Sequence, residues 1–454
     1  MSDRRYEALL HDAARRACRY IAELESRPVA PAAADVARLE LLGGALPDEG
    51  LAPGEVLARL DEIGSPATVA SAGGRYFGFV TGGVLPAALA ANWLADAWDQ
   101  NAFTSVHSAL GAAVESVALG WLRDVLALPG DCGGAFVTGA TMANFTALAA
   151  ARHAVLARAG WDVEAEGLFG APPVTLVVGE EAHGTLYKVI ALLGLGRERV
   201  VTVPADDQGR MRADAIPALD GPAIVCVQAG NVNTGAVDPM AAICARARTQ
   251  GAWVHVDGAF GMWAAAAPGY AGLLEGVADA DSWATDAHKW LNVTYDSGIA
   301  LVRDAETLRA AMSYAAAYLP TGGVREPFHY TPESSRRARG VEIWAALLSL
   351  GRSGLADLVA RNCRMAVRFA DALRGAGYEI LNEVVLNQVL VAFGDADTTR
   401  RVVAAVQQDG TCWCGPTVWK GRAAMRISVC SWATTDEDVD KSIDAIVRIA
   451  AEQR

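Results

Sequence analysis

Apolar residues recur every fourth position near the start of the chain, at Leu9, Ala13, Ala17 and Ile21, and this spacing predicts a helix. A Pro/Ala stretch (Pro28 to Pro31) interrupts it, and a second amphipathic run follows before about residue 65. No strand pattern occurs there. From about residue 76 short β-rich runs alternate with Ala-rich helical runs. The expected strands are Gly134–Thr138, Val174–Val178, Arg199–Val203, Ala223–Gln228, Trp253–Asp257 and Ile299–Val302. The helices expected between them are Met142–Leu156, His183–Leu193 and Met240–Thr249. Strands alternating with helices predict an α/β fold with a mainly parallel sheet covered on both faces. Beyond about Leu350 the pattern predicts a helix over Leu355–Leu373, short strands at Gln388–Phe393 and Ala424–Val429, and a closing helix over Asp436–Glu452. That is a small α+β domain. The chain so divides into residues 1–75, 76–349 and 350–454, with no repeat or low-complexity linker between the parts.

Composition narrows the functional classes. Of 454 residues 52% are hydrophobic, enough for a large core and too many for a disordered chain. With 39 Lys+Arg against 52 Asp+Glu the formal charge is −13, which argues against nucleic acid or an anionic membrane as partner. The longest oily stretch, Ala259 to Leu274, is broken by Gly261, Pro268 and Gly269. It falls short of the roughly 20 apolar residues of a membrane helix. The first residues lack the basic-then-apolar export pattern, and the eight cysteines are scattered. Free thiols in a reducing cytoplasm are expected. Cys412 and Cys414 form C-x-C without a second cysteine pair or a nearby His, so no metal site is expected.

Four segments carry chemistry. Lys289 lies beside Trp290 in the apolar run Asp281 to Trp290. A desolvated amine is driven toward its neutral form and attacks aldehydes to give a Schiff base. Asp257 ends the run Trp253 to Asp257, followed by Gly258 and Ala259. A carboxylate at a strand's carboxyl end can pair with a protonated pyridine nitrogen, and Ala259 lets a flat ring approach the backbone. At Phe136 to Asn144 a strand turns on Gly139 into a helix, where free N–H groups and the Thr141 hydroxyl make a phosphate cradle. His183, at another strand-to-helix turn, can stack on an aromatic cofactor and handle protons near neutral pH. Alone, each has a plain structural explanation: a surface lysine, a capping aspartate, an ordinary βα turn, a capping histidine. Together, in chain order, they specify pyridoxal 5′-phosphate.

The run of His288-Lys289-Trp290, His-Val-Asp257-Gly-Ala259 and Gly-Ala140-Thr141-Met-Ala-Asn resembles the group II pyridoxal phosphate-dependent amino-acid decarboxylases (aromatic-amino-acid, tyrosine, histidine and glutamate decarboxylases). The resemblance extends from about Tyr76 to the C-terminal helix. It implies fold-type I (aminotransferase-like) architecture: an N-terminal helical segment that clasps a partner, a large domain with a seven-stranded sheet, and a small C-terminal domain. It also implies a homodimer with active sites at the interface, and decarboxylation of an L-amino acid to the amine and CO₂.

By position, the resemblance makes Lys289 the Schiff-base lysine, Asp257 the pyridinium partner and His183 the stacking residue. Ala140, Thr141 and His288 become phosphate contacts, and Asn231 and Asn233 lie in a loop bordering the cofactor. Asp286 falls where many members have asparagine; a carboxylate there repels the phosphate unless it points away or is paired, and Thr285 is the alternative hydroxyl. Tyr318 matches the tyrosine that protonates the substrate carbon, with Tyr330 as the second candidate. Relatives with a non-acidic residue there make an aldehyde instead, and a C–C lyase, an aminotransferase and a non-catalytic relative are the further alternatives. Phe79, Thr81, Trp98 and Phe103 correspond to substrate-pocket walls, with Asn101 and His107 nearby. Arg426 is a candidate for a carboxylate. The implied substrate is aromatic or otherwise hydrophobic.

Overall fold

The computed structural model describes residues 4–314 and 325–453. Helix Arg4–Glu23 is followed by short helical turns and helix Pro53–Gly64; among the described residues no strand precedes β1 (Tyr76–Phe77). Seven strands then build the large sheet: β2 (Gly133–Val137), β3 (Thr175–Gly179), β4 (Val201–Val203), β5 (Ala223–Gln228), β6 (Trp253–Asp257), β7 (Ser282–Asp286) and β8 (Gly298–Val302). Their order is β2-β8-β7-β6-β5-β3-β4. Strand β8 runs antiparallel to both β2 and β7, and the other pairs are parallel. Every residue of β5, β6, β7 and β8 is buried, as expected for strands covered on both faces.

Helices Ala140–Arg158, Gly184–Leu192 and Met240–Thr249 follow β2, β3 and β5. Ala-rich Ala140–Arg158 packs closely on the sheet because its contact face is mostly methyl groups: Ala143, Ala147, Ala150 and Ala151 are all fully buried.

A second sheet of five strands has the order β1-β11-β12-β10-β9, with β9 (Glu379–Ile380), β10 (Gln388–Ala392), β11 (Trp413–Trp419) and β12 (Arg422–Ser428). The sequence pattern assigns Tyr76 and Phe77 to the large domain, but they extend this smaller sheet. Tyr76 pairs with Trp413 in parallel register and stacks on its ring at 5.1 Å. The boundary at residue 350 falls beside a break in the helical span Gly340–Gly375, where two helical segments meet at Gly351 (φ 61°). That span is long and apolar enough to cross a membrane by composition alone. Its Ile343, Ala346, Leu355 and Val359 lie in the core of the large sheet, and Phe369 and Leu373 in that of the small one. It reads as a core helix that ties the two together.

Candidate active site

The carboxyl ends of the large sheet's strands converge on a cavity of about 340 Å³. The turns that leave the strands contribute Gly139, Ala140 and Thr141 after β2, His183 after β3, Gly230 and Val232 after β5, Ala259 after β6, and His288 and Lys289 after β7. Gln228, Asp257 and Asp286, the last residues of β5, β6 and β7, complete the wall. Open α/β sheets place ligands in such a crevice, because helix starts and strand ends leave unpaired polar groups there.

Asp257 is 5% exposed, and its carboxylate accepts a hydrogen bond from Ala259 N–H at 3.3 Å. Burial raises its pKa, opposed by the charges of His183 and Lys289. A buried anion of this kind requires a cation, which a protonated ring nitrogen supplies. Beside it the amide nitrogen of Asn144 is buried without a hydrogen-bond partner.

His183 is both a helix cap and a cavity wall. Its Nδ1 accepts from Thr185 N–H at 3.3 Å and lies 2.7 Å from the Thr185 hydroxyl, which places its proton on Nε2. The packing around the ring lowers its pKa, so the neutral form prevails at pH 7.

The chain has four lysines, Lys188, Lys289, Lys420 and Lys441, and Lys289 alone lines the cavity. Its Nζ lies 3.1 Å from Asp286 Oδ2. The other carboxylate oxygen accepts from Ala140 N–H at 2.5 Å and lies 3.4 Å from His288 Nε2. Asp286 therefore points into the site and is paired, the second of the two options its position allows. Thr285 does not replace it: the alternation of β7 turns its hydroxyl to Ala259 O at 3.4 Å. His288 accepts from Ser297 N–H through Nδ1 and stacks on Tyr295 at 4.3 Å. Burial lowers its pKa as well.

The phosphate cradle fits. Gly139 gives helix Ala140–Arg158 no side-chain cap; Asp286 takes the Ala140 N–H, and the next amides, of Thr141 and Met142, have no partner within the helix. Gly139 keeps the approach clear: a Cβ there would lie 3.1 Å from His288 Cε1 and 3.3 Å from Asp286 Oδ1. The amine, buried carboxylate, helix start and histidine-lined wall match what pyridoxal 5′-phosphate needs.

Other candidates fall elsewhere. Asn231 and Asn233 do not line the cavity. Asn231 is 1% exposed and spends its amide on Glu181 O, Gln228 and the backbone of residues 233 and 234, while Asn233 accepts from Thr417. Phe79, Thr81, Trp98 and Phe103 are also outside the cavity wall. Phe79 lies 63% exposed and stacked on Trp413, and Trp98 ends helix Pro86–Trp98, 43% exposed. Phe103 is buried against Phe328 at 4.8 Å. Thr81 reaches the Tyr295 hydroxyl, and Gly82 abuts the Lys289 carbonyl, so this segment borders the lysine turn.

Tyr330 is 9% exposed in the core, with the Arg325 guanidinium 4.5 Å from its ring centre. That is a core anchor rather than a proton donor on a lid. Tyr318 lies outside the described residues. Arg426 donates to Val232 O at 3.2 Å, and its Nε has no partner. Sequence reading missed Gln228 and Tyr295. Gln228 sits beside Asp257 in the β5–β6 register, so the strand-end rule that singled out Asp257 applies to it equally.

A family model described as the pyridoxal-dependent decarboxylase conserved domain matches residues 66–394. Tryptophan decarboxylase 1 of Oryza sativa subsp. japonica is 28% identical over 419 residues, covering 83% of this chain and 80% of the relative. An L-2,4-diaminobutyrate decarboxylase of Rhizobium meliloti (strain 1021) is 29% identical over 387 residues, covering 80% and 74%. The crystal structure of Oryza sativa TDC with PLP and tryptamine superposes with TM-score 0.90 at 24% identity, covering 100% of this chain and 99% of that one. Mouse CSAD in apo form gives TM-score 0.90 at 22% identity, covering 98% of each. These two likenesses carry the fold.

Proposed function

The chain belongs to the pyridoxal-dependent decarboxylase family and is a pyridoxal 5′-phosphate-dependent carboxy-lyase acting on an amino acid, and from that premise we propose an aromatic or other hydrophobic L-amino acid as substrate and the amine as product. The observation that carries the site assignment is the meeting of Lys289 Nζ, the buried Asp257 carboxylate and the His183 ring on one cavity of about 340 Å³. When bound, the coenzyme supplies the carbonyl that takes up an amine and a protonated ring that accepts the electron pair left by CO₂.

The chain's own residues do the rest. Lys289 supplies the amine that tethers the coenzyme. Asp257 holds a proton on the ring nitrogen. The neutral His183 presents its ring to the cavity with its free proton on Nε2. Ala140, Thr141 and His288 receive the phosphate at the helix start. Tyr318 is our candidate for delivering the proton to the substrate carbon.

The substrate preference is supported by aromatic rings beside the lysine turn. Phe79 is 63% exposed and stacked on Trp413, and Tyr295 is 57% exposed and stacked on His288. Apolar side chains left exposed around residues 93–110 (Trp93, Leu94, Trp98, Val106, Leu110) suit a homodimer that covers them. Seven buried free cysteines and one exposed suit the reducing cytoplasm.

The deciding experiment is a screen of the twenty L-amino acids and L-2,4-diaminobutyrate with the coenzyme-loaded enzyme, reading amine, CO₂, aldehyde and peroxide. Amine and CO₂ from aromatic substrates, without peroxide, are expected. Preference for diaminobutyrate or an acidic amino acid would overturn the substrate reading, and peroxide with aldehyde would overturn the product.

A further inference from the structure

Behind Asp257, away from the cavity, runs a line of buried polar groups. Trp253 Nε1–H donates to Ser282 Oγ at 2.8 Å. Ser282 Oγ lies 2.8 Å from His255 Nδ1, and His255 Nε2 lies 2.8 Å from Asn144 Oδ1. Ser282, His255 and Asn144 are each 0% exposed and Trp253 is 3% exposed. Asn144 Nδ2 is buried without a hydrogen-bond partner, and its amide is near enough to Asp257 to favour the charged carboxylate. Buried polar groups cost free energy unless they are satisfied, so four in a row need an explanation.

The donors can be assigned from the Asp257 end. A carboxylate only accepts, so the Asn144 amide must face it with Nδ2–H, which leaves Oδ1 for His255. His255 then donates through Nε2–H and accepts at Nδ1. Ser282 gives its single proton to Nδ1 and takes the Trp253 N–H on its oxygen. Every group in the line is then paired except the Asn144 Nδ2–H, which is left to face Asp257. Complete burial drives the His255 pKa down to about 3, so the imidazole is neutral, as this arrangement requires.

We propose that His255 and Asn144 are positioning residues for the decarboxylase reaction, holding an N–H on the rear of the Asp257 carboxylate so that it stays anionic against the coenzyme's ring nitrogen. The inference rests on the pairing of Asp257 with that nitrogen. The other groups facing Asp257 are His183 and Lys289 across the cavity, Cys226 on the neighbouring strand β5, and the Ala259 N–H, which donates to Oδ1 at 3.3 Å.

The test loads wild-type and variant apoenzymes with pyridoxal 5′-phosphate labelled with ¹⁵N in the ring and follows the ring-nitrogen shift by NMR from pH 6 to 9. Wild type should report a protonated nitrogen, and Asp257→Ala an unprotonated one. Asn144→Leu and His255→Phe should lower the nitrogen's proton affinity about tenfold to hundredfold, the effect of losing one hydrogen bond to a charged group. His255→Gln, which keeps a donor and an acceptor, should restore it. Ser282→Ala, a smaller perturbation of the core, should shift it in the same direction and keeps the test open if the larger variants do not fold. A protonated ring in wild type, lost in Asp257→Ala but unchanged in folded Asn144, His255 and Ser282 variants, would overturn the relay and leave the Asp257 pairing intact. An unprotonated ring in wild type would overturn the pairing and the relay with it.

Discussion

Replacing Asp286 with asparagine should tighten coenzyme binding. The Asp286 carboxylate takes the Ala140 N–H at 2.5 Å and the Lys289 ammonium at 3.1 Å. Ala140 N–H is one of the amides proposed to hold phosphate, so the phosphate must displace the carboxylate. Lys289 must also leave its ion pair before it attacks a carbonyl. A hydrogen bond to a charged group contributes about 1.5–3 kcal/mol. The Asp286→Asn change keeps the shape and removes the charge, so the dissociation constant for pyridoxal 5′-phosphate should fall by about 10- to 150-fold. Repulsion between the carboxylate and a phosphate dianion works in the same direction and makes this a lower bound. The assay is titration of apoenzyme with the coenzyme, followed by absorbance or by quenching of tryptophan fluorescence, for both proteins at one pH and ionic strength. Equal or weaker binding by Asp286→Asn would show that the carboxylate does not compete with phosphate.

Two further outcomes follow from buried charge. Glu115, 1% exposed, is clamped by Arg336 and by Arg325, the latter at 3.0 Å, and the two arginines also bind Phe136 O and Gly134 O of β2. Glu115→Gln leaves two guanidinium groups without their counter-charge and should cost about 3–5 kcal/mol of stability; an unchanged urea midpoint would contradict this. His255 is depressed from 6.5 to about 3, so its contribution to stability is full above pH 6.5 and is lost as pH falls toward 3, at about 1.4 kcal/mol per pH unit. His255→Gln should flatten this part of the acid-unfolding profile, and parallel wild-type and variant profiles would contradict the burial of a neutral imidazole.

The sequence shows most clearly those elements whose local pattern and tertiary role agree. Ala223–Gln228, Met240–Thr249, Trp253–Asp257 and Asp436–Glu452 occur with the bounds that periodicity suggests. Strand β11 is hidden because Gly415 and Pro416 interrupt its pattern; it is held by pairing with β12 and by the stack of Trp413 on Tyr76. Strand β7 is masked by the mixed run Ser-Trp-Ala-Thr-Asp, which forms a strand because β6 and β8 flank it. Lys289, Asp257 and His183 were legible because strand ends and helix starts are where α/β sheets expose polar groups. The second layer was not: nothing local in Asn144, His255 and Ser282 reveals that three separate elements bring them together. The aromatic segment around Phe79 sits beside the lysine turn rather than on the cavity wall, a placement set by its pairing with the small sheet.

The tether at Lys289 can be read chemically. Wild-type enzyme loaded with pyridoxal 5′-phosphate is reduced with borohydride, digested, and analysed by peptide mass spectrometry. With four lysines in the chain the outcome is discrete. The expected result is a single phosphopyridoxyl group on Lys289, absent in Lys289→Ala; a label on Lys188, Lys420 or Lys441 instead, or none in excess coenzyme, would contradict the assignment of this cavity as the active site.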